Sequence, residues 1–325
     1  MARSLFGLII GLIFVVCLAG ASYQAIVAYT DARRNPEPGR LIDIGGFHLK
    51  LNCTGSGSPT VVLEAGLGDL LEEWRKVQPE IAKFSRVCSY DRAGYGGSDP
   101  GPAPRTSVQI SKELQALLKN AGETPPYVLV GHSFGGYNVR VFNGEYPNQV
   151  AAMVLVDSTQ EDQYRLLPSA WNALGAAMLS RYQTQARWAN LYVGLGIARL
   201  SLQWRGIHGS YLILQAKYLR ARASELECIR VSAEQARSAG NLQEKPLVIL
   251  TGAKNVDSIL GSGLTAADLD AYQRTWVYDL QTRLARLSTR GKQIILPDSG
   301  HDVPSDRPDA IVAAVRELCA GLSRR

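Results

Sequence analysis

The sequence predicts an α/β protein: a mostly parallel sheet with helices on both faces, and an apolar helix at the N-terminus. Three observations predict it. Short β-branched runs alternate with segments of helical period after an initial hairpin signal. A charge-free run extends from Leu5 to Ala21. Between Asp157 and Pro246 lies a long stretch with no strand pattern at all.

The N-terminal run meets the lower length limit for a spanning helix, about 17–25 apolar residues. Residues 1–29 are therefore expected to be a single-pass anchor contacting lipid through residues 5–28. Ala19-Gly20-Ala21 also resembles a small-residue cleavage site, so a removed signal segment is the alternative. Residues 30–40 carry Pro36, Pro38 and Gly39 and are expected to be a linker.

Strands are expected at Arg40–Ile44 and Phe47–Cys53 around a Gly45-Gly46 turn, then at Thr60–Ala65, Arg86–Tyr90, Tyr127–Val130, Val150–Val156, Leu247–Leu250 and Lys292–Leu296. Helices are expected at Trp74–Phe84, Ser107–Asn120, Phe134–Tyr146 and Ala310–Leu318. This assigns 41–157 and 246–325 to the core and 158–245 to a helical insertion. The chain has 325 residues, 46 % hydrophobic, which is enough for one large core with an insertion. Its net charge of +6 is scattered, with no basic stripe interleaved with aromatics, so nucleic-acid binding is not expected.

The chemistry is carried by Gly131-His132-Ser133-Phe134-Gly135-Gly136, between a strand and a helix. That context makes a G-x-S-x-G string a nucleophile elbow, and Ser133 the nucleophile. A serine hydroxyl needs a base. Of His48, His132, His208 and His301, only His301 follows the last strand, where the base falls when chain order runs nucleophile, acid, base. His48 belongs to the first hairpin, His132 to packing inside the elbow, and His208 to the surface of the insertion. For the acid, Asp157 is preferred and Asp257 is the alternative, because Asn255 stands where the acid is usual. The oxyanion donors are expected to be Phe134 N–H and Leu67 N–H.

Glu64-Ala-Gly-Leu-Gly-Asp69, Trp74, Ser89-Tyr-Asp-Arg-Ala-Gly-Tyr-Gly-Gly-Ser98, the elbow, Val154-Leu-Val-Asp-Ser158 and Gly300-His301 together resemble the α/β-hydrolase fold family, over roughly residues 40–320. The resemblance is to its membrane-anchored bacterial hydrolase and esterase branch. It implies an eight-stranded sheet in the order 1-2-4-3-5-6-7-8, with a helical cap after strand six where the insertion lies. Asp91 and Arg92 match a loop that is structural in the family. That strand order puts Cys53 beside Cys88, as a disulfide or as two buried thiols.

The function expected is a serine hydrolase cleaving a carboxylic ester of a small acyl substrate through an acyl-enzyme, with no cofactor. Amide, thioester, acyl-transfer or cofactor-free haloperoxidase chemistry on the same triad is the alternative, and a non-catalytic binding protein is the third reading. Arg33 and Arg34 after the span favour a cytoplasmic body. A disulfide would place the body outside the cytoplasmic membrane, which is the placement expected.

Overall fold

Eight strands form one sheet: β1 (Arg40–Asp43), β2 (His48–Thr54), β3 (Thr60–Glu64), β4 (Val87–Tyr90), β5 (Tyr127–His132), β6 (Val150–Val156), β7 (Leu247–Gly252) and β8 (Gly291–Leu296). The computed structural model describes residues 2–34, 38–204, 211–254 and 265–323. The strand order is β1-β2-β4-β3-β5-β6-β7-β8. β2 runs antiparallel to β1 and β4, and every other pairing is parallel.

The strand sequences explain which lie inside. β3 is buried at all of its positions, and β5 likewise, because helices cover both faces of a parallel sheet. Alternate residues then feed two cores. Leu129, Leu155 and Ile249 point to one, with Leu117 and Phe142. Val128, Val130, Val154 and Leu250 point to the other, with Trp74, Ile311 and Val315.

Helix α1 spans Ala2–Arg34, α2 Ser107–Ala121 and α3 Gly135–Glu145. Between β6 and β7 come α4 (Ser169–Arg187), α5 (Ala189–Gly194), α6 (Ile197–Trp204), α7 (Ala216–Glu227) and α8 (Ile229–Ser238). α9 (Ala266–Arg274) runs directly into a π-helical turn, Thr275–Leu280, before β8. α10 (Pro308–Ser323) closes the chain.

Two expectations about elements need correction. The helix at Trp74–Phe84 is instead a 3-10 turn, Leu71–Lys76, followed by the short helix Gln78–Ile81. Pro79 has no N–H to donate to a preceding turn, so it begins a helix there and cannot continue one. The linker starting at residue 30 is also shorter than expected, because α1 continues to Arg34. No glycine or proline interrupts Thr30–Arg34, and Arg199 on α6 holds Asp31 at 2.7 Å. Cys53 and Cys88 face each other across β2 and β4 and form a disulfide. Cys17, Cys228 and Cys319 take no part in this disulfide.

Candidate active site

The elbow follows from two close approaches. β5 ends at His132 and α3 begins at Gly135, which leaves two residues to reverse the chain. Ser133 takes a left-handed φ of 50°, a conformation a non-glycine residue holds only when its surroundings enforce it. Gly135 lets α3 slide against β3, since a Cβ there would meet the Glu64 carbonyl at 2.5 Å. Neither Phe134 N–H nor Leu67 N–H finds an acceptor among the described residues.

Ser133 Oγ lies 3.0 Å from His301 Nε2. His301 Nδ1 lies 2.6 Å from Asp157 Oδ2. With Nδ1–H donating to the carboxylate, Nε2 is left to accept the serine proton. Asp157 is 2 % exposed and also left-handed, with φ 39°. Its other oxygen accepts Trp276 Nε1–H at 2.9 Å and Gly252 N–H at 3.0 Å. Nothing in the sequence marks Trp276, which reaches the site from the π-helical turn. Asp257 and His208 lie outside the described residues. His48 pairs with Asp99 at 3.0 Å on the exposed hairpin and takes no part in the elbow.

The loop carrying Leu67 is held by Arg92. Its guanidinium donates to the carbonyls of Ala65 at 2.8 Å and Gly66 at 2.7 Å. It also bonds Glu64 at 3.1 Å and, in bidentate fashion, Glu225 of α7 at 2.8 and 3.0 Å. Burial raises the Glu64 carboxyl above its ordinary value, although Arg92 counters it. Tyr90 and Asn138 donate to the same carboxylate. The core loop and the cap are thus joined by one fully buried cation. Tyr218, also on α7, adds a bond to the Gly68 carbonyl at 2.8 Å.

Beside Ser133, Asp69, Glu73 and His132 bring their ligand atoms within 4.8 Å of one another. This is the grouping beside the site that could receive a divalent cation. Glu73 and His132 already face each other as a buried ion pair. Burial alone would lower the His132 pKa, yet Glu73 and Asp69 together push it up to about 10. His132 is therefore an imidazolium at neutral pH, not simply a packing residue. Its Nε2–H donates to the His301 carbonyl at 2.9 Å, which ties the pair to the loop bearing His301. Asp69 is enclosed by protein yet reached by water, and burial, then the Glu73 charge, drive its carboxyl up to about 6.

A surface groove between α3 (Val141, Gly144) and α8 (Arg230, Gln235) contains none of these residues.

A family model described as alpha/beta hydrolase fold matches residues 59–206. Over those residues the chain is similar to that family, and its eight-stranded sheet has the α/β-hydrolase fold. Among solved structures, a thermophilic esterase from Thermogutta terrifontis superposes with a TM-score of 0.59 at 20 % identity, covering 86 % of this chain and 97 % of that one. Two curated relatives are a probable transporter of Hormonema carpetanum, 25 % identical over 85 % of this chain, and the uncharacterized YqjL of Bacillus subtilis, 37 % identical over 37 % of it. The chain spans less than half of each, 42 % and 47 % respectively. The order and pairing of all eight strands are those of the α/β-hydrolase fold inferred from the sequence.

Proposed function

We propose that this α/β hydrolase is a serine esterase that works through an acyl-enzyme. The observation that carries the reading is the unbroken chain from Ser133 Oγ through His301 to Asp157. His301 Nε2 takes the Ser133 proton as Oγ attacks the substrate carbonyl carbon. The carbonyl π-electrons move onto oxygen, and Phe134 and Leu67 N–H stabilise that oxyanion. The intermediate collapses, the C–O bond to the alcohol breaks, and His301 returns the proton to the leaving oxygen. Water, deprotonated by His301, then hydrolyses the acyl-Ser133. Asp157 holds Nδ1–H and stabilises the imidazolium at each proton transfer.

The chain is further proposed to be held in a membrane by α1. In support, Leu5–Arg34 contains an apolar stretch long enough to cross a bilayer. The Cys53–Cys88 disulfide supports an oxidising compartment for the hydrolase body.

The test is hydrolysis of p-nitrophenyl acetate through decanoate, with Ser133→Ala beside it and labelling by a fluorophosphonate. Labelling and turnover that both vanish in the variant are expected. A folded protein that neither labels nor turns over would refute the esterase reading.

A further inference from the structure

The cap is joined to α1 by its own set of contacts, and their position along α1 matters. A Cβ at Gly20 would strike the Leu195 carbonyl at 2.6 Å, so backbone meets backbone there. A Cβ at Gly196 would lie 3.4 Å from the Tyr23 ring. Tyr23 Oη donates to Gln203 at 3.0 Å. Arg199 donates to Gln24 at 3.2 Å and to Asp31 at 2.7 Å. Every one of these contacts falls at or after Gly20.

Before Gly20, α1 touches little. Leu8, Leu12, Phe14 and Leu18 are 58–72 % exposed. The run from Leu5 to Ala21 is about 25 Å long at 1.5 Å per residue, against a hydrocarbon core of about 30 Å. The cap therefore meets the anchor towards the C-terminal end of its lipid-facing surface, where Ile26 and Tyr29 are still exposed, near the level of the headgroups.

The segment of the cap at that level is itself apolar and open. Trp188, Leu191, Ile197, Leu200 and Trp204 are 57, 52, 44, 51 and 90 % exposed. Residues 188–204 contain one charged side chain, Arg199, and it is buried against Asp31. A face of that kind, with a tryptophan at each end, suits the boundary between headgroups and acyl chains.

We propose that residues 188–204 lie in the outer layer of the same bilayer that α1 spans, as a second, interfacial attachment of the cap. The proposal rests on the reading of α1 as a retained anchor. It also bears on the site: Ala189 of α5 packs in one cluster with Tyr218 and Leu70, and Tyr218 holds the Gly68 carbonyl above the elbow. The bilayer contact and the oxyanion loop are thus opposite ends of one packed unit.

The experiment uses the full chain reconstituted in phosphatidylcholine vesicles, with and without bromine on the upper acyl carbons. Bromolipid is expected to quench tryptophan emission, and Trp188→Phe with Trp204→Phe is expected to abolish that quenching. Both positions are exposed, and an unchanged melting temperature in the double variant would show that the fold is kept. Trp276→Phe, at a buried position, is expected to leave the quenching in place. Quenching that is absent, or that survives the double variant, would overturn the proposal. So would a dimer formed across this face in nanodiscs, with both tryptophans unquenched. A chain that fails to float with the vesicles after alkaline washing would remove the anchor reading, and this inference with it.

Discussion

Asp157→Asn separates the two candidate acids, and the structure fixes what it should do. Asp157 Oδ1 accepts two N–H donors, from Trp276 and Gly252. An asparagine must keep its carbonyl oxygen there, because its NH2 group would otherwise face two donors. That orientation points NH2 at His301 Nδ1, which can then only accept. The proton moves to Nε2, and the imidazole donates to Ser133 instead of receiving its proton. The loss in kcat should be on the order of 10^4-fold, or about 5.5 kcal/mol of barrier. Stability should fall less, by about 1.5–3 kcal/mol, for one charge-assisted hydrogen bond replaced by a neutral one. The assay is p-nitrophenyl ester turnover, with melting temperature as the control for folding. A variant within ten-fold of the parent kcat would refute the assignment and move the acid to Asp257.

Trp276→Phe removes one of the two donors to Asp157 Oδ1, so kcat should fall about ten-fold with KM unchanged in steady-state kinetics. Arg92→Lys loses the fork that spans Glu64, Glu225 and the Ala65 and Gly66 carbonyls; chemical denaturation should show a loss of about 3–5 kcal/mol. His132 has its pKa raised from 6.5 to about 10, so its pairing with Glu73 stabilises the fold fully below pH 6.5 and is lost as pH rises through 10. Glu73→Gln should therefore lower the melting temperature most at pH 6 and progressively less toward pH 10. The Cys53–Cys88 bridge closes a span of 35 residues, and its reduction should cost about 4 kcal/mol, read from denaturation with and without dithiothreitol.

The parts legible in the sequence were those written in local patterns. β5, the elbow and α3 follow one another over a few residues, so Ser133 could be found from spacing and glycine placement. His301 could be found because it is the histidine that follows the last strand. The end of α1 was misjudged because Thr30–Arg34 is polar, and its helix is held by Arg199, some 168 residues away in the chain. Trp276 and Glu225 stayed hidden for the same reason. Each acts through a contact between distant segments, the first with Asp157 and the second with Arg92. The charge on His132 is not legible in the sequence, because its neighbour Glu73 lies on the distant 3-10 turn Leu71–Lys76 and only their meeting makes it an ion.

The position of Asp157 after β6 raises a question of reach. Ser133 N–H bonds the Val156 carbonyl at 3.1 Å, and Asp157 N–H bonds the Leu250 carbonyl at 2.7 Å. Ser133 and Asp157 therefore leave the ends of adjacent strands at the same level. His301 does not, since its loop follows β8 and must cross the end of β7 to stand between them. What allows it here is Gly252, the last residue of β7, where any Cβ would collide with the Gly300 carbonyl. The same glycine donates its N–H to Asp157. One residue thus clears the path for the His301 loop and orients the carboxylate that meets it. Gly252 thereby brings His301 within reach of Asp157.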